Sequence, residues 1–200
     1  MRPLSTGPIR LALSAIAAGI LFACRTDTIA APSDSSIAAK VVDQNVAATY
    51  GWHAGDAFTP PLIPPDVAEA ANGDRVTLTG TGTLALHPKS VTGGGTFTHT
   101  TAGGTVLGTG TFTATELLSF ESYGPSTLLP AFLNAGQALL RVRLVPNGSP
   151  TSIEAILRIE CILPGSTFPG GKEEGINLLV PGLANFNHQI SGATVFVRID

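Results

Sequence analysis

A chain of 200 residues with 14 acidic and 11 basic side chains carries a formal charge of −3, and its Lys and Arg lie scattered singly apart from Arg141 and Arg143. Clustered cations are needed to displace counterions from a polyanion, so no nucleic-acid partner is expected. Two cysteines are too few for a disulfide-rich scaffold, and a chain of this length buries enough surface to fold around one core without such staples.

The opening segment carries Arg2 and Arg10 and no acidic residue, and the run from Leu11 to Phe22 is uncharged and mostly apolar. As a helix that run spans about 18 Å, well short of the roughly 30 Å hydrocarbon core, so it reads as the apolar part of an export signal and not as a permanent span. It ends in Leu21-Phe22-Ala23-Cys24: an aliphatic residue, a tolerant position, a small residue, then cysteine. This tetrapeptide resembles the lipobox of bacterial lipoprotein signals. The resemblance covers four residues and their upstream context. It implies a signal peptide over residues 1–23, lipidation of the Cys24 sulfur with diacylglycerol, acylation (palmitate or a similar chain) of the new amine, and attachment to a membrane through the lipid. Two or three chains together exceed the reversible binding of a single one. The competing reading is an ordinary secretory signal cleaved near Ala23, with Cys24 unmodified.

Without Arg2 and Arg10 the chain holds 9 basic residues against 14 acidic, a charge near −5. Arg25 stands where some diderm bacteria place an acidic residue that retains lipoproteins at the inner membrane, so the outer membrane or cell surface of the bacterial envelope is the expected location.

Residues 24–74 are rich in Ala, Ser, Thr, Asp and Pro, with proline pairs at Pro60-Pro61 and Pro64-Pro65. Such pairs favour extended backbone, and the stretch is expected to be a flexible tether. Tyr50-Gly51-Trp52-His53 fits it poorly, because burying the one tryptophan against the domain is at least as favourable as leaving it in solvent.

From Arg75 onward a two-residue period sets in. Between Val76 and Leu86 the even positions are apolar or glycine and the odd ones mainly threonine, the mark of a strand with one wet face. The alternation returns in Thr96 to Thr100 and from Thr105 to Phe120, where Val106, Phe112, Ala114, Leu118 and Phe120 are expected on one face; Gly108 and Gly110 signal a bend, a bulge or a close backbone approach. Gln137–Val145 and Ser152–Leu163 form strand-like runs joined by Pro146-Asn147-Gly148-Ser149-Pro150-Thr151, whose Asn-Gly step favours a reversal. Ala138, Leu140, Val142 and Leu144 are expected to face the core with Ile153, Ala155, Leu157, Ile159 and Cys161. Arg141, Arg143, Glu154, Arg158 and Glu160 would then pair across strands on the wet face. Leu128 to Leu133 either caps one end of the domain, the preferred reading, or exposes an apolar patch to a lipid, ligand or partner protein. With Ile176–Val180 and Ala193–Ile199 this makes about seven strands in residues 75–200 and no convincing helix: an all-β, antiparallel sandwich or barrel.

Chemical motifs are sparse. There is no Gly-x-Ser-x-Gly elbow, and His53, His87, His99 and His188 lack metal-ligand spacing, so no catalytic residue, cofactor or metal site is assigned. Gly170-Gly171-Lys172 fails the phosphate-loop pattern, since Ser166 occupies the first glycine position and Glu173 the magnesium-ligating one. The feature that invites a function is the threonine alternation itself. Thr77, Thr79, Thr81 and Thr83, then Thr96, Thr98 and Thr100, then Thr109, Thr111, Thr113 and Thr115 would, if adjacent in one sheet, present hydroxyl and methyl groups to a sugar polymer, ordered water or another flat surface. Thr79, Thr98 and Thr111 represent that face. The bland account is that threonine is simply a good strand former on a half-solvated face.

The expected function is therefore that of a lipid-anchored extracytoplasmic binding or structural module, with an envelope polymer or protein as partner. The alternative is an enzyme acting on polysaccharide with carboxylates drawn from Glu116, Glu121, Glu154 and Glu160. Two carboxylates within about 5–10 Å in an open cleft would favour the enzyme.

Overall fold

The computed structural model describes residues 47–56, 58 and 64–200; the lipobox and Cys24 lie outside them. Among the described residues the regular structure is entirely strand: β1 (Thr49–Ala54), β2 (Asp66–Ala70), β3 (Arg75–Leu86), β4 (Lys89–Thr100), β5 (Val106–Pro125), β6 (Leu133–Pro146), β7 (Ile153–Cys161), β8 (Gly175–Val180), β9 (Ala184–Ser191) and β10 (Thr194–Arg198). All pairings are antiparallel. The all-β class follows from the alternation, as expected.

Ten strands replace the expected seven because three lie in segments where alternation is weak. β1 and β2 fall inside residues 24–74, so the stretch expected to be a flexible tether contains two strands, and its residues 24–46 lie outside the described ones. Thr49–Ala54 is anchored in the sheet by Trp52, which is fully buried and donates from Nε1 to Thr92 O at 3.1 Å. A buried aromatic of this size stabilises a fold by about 3–5 kcal/mol, judged by truncation to Ala.

The sheet closes on itself. Going round from β6, the strands pair in the order β5, β4, β3, β2, β9, β8, β7 and back to β6. β1 and β10 form a second closure. β4 takes one edge of β3 along its whole length, so β1, on Gly80–Ala85, and β2, on Arg75–Leu78, must share the other edge. β6 is divided likewise: β7 takes Gly136–Leu144 and β10 takes Leu133 and Asn134.

One continuous core fills the interior, and it includes the expected Ala138, Leu140, Val142, Leu144, Ala155, Leu157, Ile159 and Cys161; Ile153 packs at its margin. Burial pushes the Cys161 thiol far above its ordinary value, so it is held protonated and unreactive. The glycines on β3 make room for aromatics: a Cβ on Gly80 would lie 2.5 Å from the Phe112 ring, and one on Gly82 would lie 2.6 Å from Trp52 Nε1.

In β5 the expected face slips. Register shifts at Ala114/Glu116 and Leu117/Ser119 insert extra residues, so Leu117 and not Leu118 reaches the core, and Val106, before another shift, stands exposed. Gly110 is a site of close approach, its Cβ position being 2.3 Å from Val145 O, whereas Gly108 has nothing within 4 Å. The turn after β6 reverses at Gly148 with φ +78°. At Leu128–Leu133 the exposed alternative replaces the preferred cap. Leu128 and Phe132 are 74% and 50% exposed, because the Ser126 hydroxyl accepts from the amides of Leu128 and Leu129 and turns the segment outward.

Candidate functional site

The register of β3, β4 and β5 brings the threonine runs together on the outside of the sheet. Thr77, Thr98 and Thr109 lie in one cross-strand row, and Thr79, Thr96 and Thr111 in the next. Thr81 and Thr113 flank Gly94 in a third row, and Thr83 faces Thr92 in a fourth. Thr79 and Thr111 therefore share a row, with Thr98 in the row beside it. Strand geometry sets the spacing at about 4.8 Å between strands and about 6.8 Å between alternate residues along a strand. The hydroxyls are partly coupled: Thr79 Oγ1 lies 2.9 Å from Thr96 Oγ1, Thr83 Oγ1 lies 2.7 Å from Thr92 Oγ1, and Asn147 Nδ2 donates to Thr109 Oγ1 at 2.8 Å.

The array has chemical borders. On one side His53 is in register with Thr81, its Nδ1 2.7 Å from Asp56 Oδ2 and 3.2 Å from Thr81 Oγ1, with the Phe58 ring stacked 4.2 Å away. On the other side Arg143 follows Thr113 and pairs with Glu154 at 3.1 Å, while Arg141 pairs with Glu116 at 2.9 Å. These exposed pairs contribute about 0–1 kcal/mol each and mark where the uncharged face ends.

The carboxylates of the enzyme reading do not gather in a cleft. Glu116, Glu121 and Glu154 are exposed, and Glu160, expected on the wet face, is buried. Its parity along β7 points outward, but the end of β5 and the following loop cover it. Tyr123 Oη donates to it at 2.6 Å and Gln137 Nε2 at 2.5 Å, and Lys172 Nζ lies 3.8 Å away. Burial first, then this bond to Glu160, raises the Tyr123 hydroxyl above its ordinary value.

Two further acids, the buried Asp66 and the half-buried Glu174, carried no signal in the sequence, where the first follows a proline and the second stands between Glu173 and Gly175. Glu174 accepts from the amides of Ile162 and Thr194 and from the Thr194 hydroxyl, tying the chain after β7 to the start of β10. Asp66 is fully buried, and neither of its oxygens has a hydrogen-bond partner among the described residues. The nearby Gln189 amide offers only slight relief, since its Nε2 donates to Ser191 O and its Oε1 accepts from the Ile176 amide. Gly192 closes over the Asp66 carboxylate, with a Cβ position 2.2 Å from Oδ1. No group of three or more His, Cys, Asp or Glu among the described residues is arranged to hold a metal ion.

Compared with protein-family models, curated proteins and solved structures, the chain matches none.

Burial, and next the charge of Glu174, pushes Asp66 from 3.8 up to about 8. The folded protein thus keeps a proton that the unfolded chain releases above about pH 4. The associated stability is full below that pH and is lost as pH rises through 8, with a slope on the order of 1.4 kcal/mol per unit. Glu174, also raised by burial, acts in the same direction. Urea unfolding at pH 5, 7 and 9 is expected to show a falling midpoint that Asp66→Asn flattens, leaving the variant more stable than the parent at pH 9. Parallel curves for the two proteins would contradict this account of Asp66.

Proposed function

We propose that this chain is a lipid-anchored binding module of the bacterial envelope, and that the outer face of β3, β4 and β5 is the surface that engages its partner, a neutral, hydroxyl-rich polymer of the polysaccharide class. The observation that carries this reading is the alignment of threonines into cross-strand rows on an uncharged face. Each threonine offers a hydroxyl that donates and accepts and a methyl that packs, so a repeated array meets a repeating chain of hydroxyls and ring C–H groups at many equivalent points. Individually weak contacts then sum along the polymer, in the manner of linked binding sites. The absence of a lysine or arginine within the rows favours a neutral ligand over a polyanion.

The enzyme reading has less support. Its carboxylates are exposed and spread over the surface, with Glu116 lining a cleft without a second carboxylate, or, for Glu160, buried under Tyr123 and Gln137. The anchor rests on the four-residue lipobox, and it would hold the module at its membrane while residues before β1 give it reach.

Two experiments test the two halves of the proposal. Charged replacements Thr79→Glu, Thr98→Glu and Thr111→Glu, made together, are expected to leave the circular dichroism unchanged and to weaken co-sedimentation with insoluble neutral polysaccharides (cellulose, chitin, β-1,3-glucan) at least tenfold. Equal binding by parent and variant, or no binding of the parent to any of these polymers, would overturn the face assignment. Intact-mass spectrometry of membrane-extracted protein is expected to show a chain beginning at residue 24 with added acyl mass, absent from Cys24→Ser. An unmodified, freely soluble chain would overturn the anchor and leave the face assignment standing.

A further inference from the structure

At the end of the molecule closed by β1 and β10 the wall is incomplete. β4 and β5 pair only between Gly94–Thr100 and Val106–Thr113. β4 nevertheless continues as strand back to Lys89, paired on its other edge with β3, and β5 continues to Pro125, paired on its other edge with β6. Residues 89–93 and the part of β5 beyond Thr113 therefore present two strand edges to one another with no ladder between them.

The parting occurs at a glycine run. Gly93, the first residue beyond the ladder, has φ +108°, a conformation that needs glycine, while Gly94 and Gly95, still in the ladder, are sites of close approach where a Cβ would lie 2.1 Å from Phe112 O or 1.8 Å from Thr79 O. The space between the edges is a cleft of about 480 Å³ lined by Lys89, Ser90, Val91, Thr115, Glu116 and Leu117. Val91 and Leu117 belong to or pack on the core and form an apolar floor. Lys89 reaches across, its Nζ donating to Leu118 O at 2.9 Å. A side-chain ammonium thus occupies a carbonyl that a neighbouring strand would otherwise use.

We infer that this slot is a strand-acceptor site: an extended peptide segment of a partner protein enters between β4 and β5, pairs with both edges and completes the wall. Side chains hold one carbonyl on each edge, Trp52 Nε1 on Thr92 O and Lys89 Nζ on Leu118 O, and away from these points the two edges face each other without a ladder; a polypeptide in extended form matches them, since it alone repeats donors and acceptors at the strand period. The five positions of residues 89–93 match about 17 Å of extended chain. Alternate side chains of the incoming segment meet the Val91 and Leu117 floor, which favours small apolar residues there. Lys89, displaced from Leu118 O by an incoming amide, favours an acidic residue at the slot's mouth. The slot adjoins the threonine face at Thr92 and Thr115 but engages backbone edges and not the hydroxyl rows, so either assignment stands if the other fails.

The test uses the chain exported from a Cys24→Ser gene and a displayed library of random heptapeptides. Enriched peptides are expected to carry an acidic residue among small apolar ones and to shift and protect the amides of Ser90–Thr92 and Thr115–Leu117 in NMR and hydrogen-exchange spectra. Methylating alternate peptide nitrogens is expected to weaken them at least tenfold, and Lys89→Ala to abolish the preference of a Glu peptide over its Gln counterpart. Failure to enrich any peptide, enrichment of peptides that perturb a different surface, or equal binding after N-methylation would overturn the proposal. So would protection of these amides without peptide that disappears when residues 25–46 are deleted, because the chain itself would then fill the slot.

Discussion

Two long strands, β3 and β6, each serve two neighbours along a single edge, and the rest of the molecule is arranged by that division. β3 gives its first residues to β2 and its later ones to β1; β6 gives its first residues to β10 and the rest to β7. One end is therefore an eight-strand circuit, and the other is closed through the β1–β10 pair. A strand can be shared in this way only if both successors keep its inward side chains in the same interior. Trp52 on β1 does so, packing into the space left by Gly82 with its ring 6.4 Å from Phe112. The mismatch between the two ends is absorbed at Gly93–Gly95, where β4 leaves β5.

With Val76, Leu78, Gly80 and Leu84 of β3 and Phe112 and Ala114 of β5 committed to the interior, period-two geometry sends the threonines outward. Antiparallel register then converts three runs along the sequence into rows across it. The polar interior has a different logic. Glu174, Glu160 and Asp66 sit where the second closure joins the first, and Glu174 in particular binds the chain after β7 to β10 through backbone amides. Asp66, shut beneath Gly192 without a donor, is the costly member of that joint, and its retained proton keeps an unpaired charge out of the core.

Much of this was legible wherever alternation was strong. The β6–β7 hairpin, its Asn147-Gly148 reversal and the inward set from Ala138 to Cys161 follow from side-chain period and turn chemistry alone. The threonine rows required one more fact, that β3, β4 and β5 are consecutive neighbours, which short loops make natural but period cannot prove. β1, β2 and β9 were hidden for a shared reason. They are short, rich in Ala, Asn, Asp or Gly, and hold their place through partners distant in sequence. The phase slip in β5 was invisible because a bulge changes which face a residue takes without altering composition. Glu160 was misplaced because parity describes a strand in isolation, whereas the chain around Tyr123 and Lys172 folds over the end of β7. Asp66 and Glu174 could not be distinguished from surface acids, since burial is a property of the closed sheet and not of their neighbours in sequence.

The central functional claim is that the ordered threonine face is a contact surface and not merely a wet side of a sheet. Threonine-methyl NMR of the exported Cys24→Ser protein, titrated with soluble fragments of a polysaccharide that it co-sediments with, tests this most directly. The account predicts that the methyls of Thr77, Thr79, Thr81, Thr96, Thr98, Thr109, Thr111 and Thr113 shift together, while those of Thr151, Thr167 and Thr194, away from the rows, stay in place. Shifts confined to residues outside β3, β4 and β5 would contradict it.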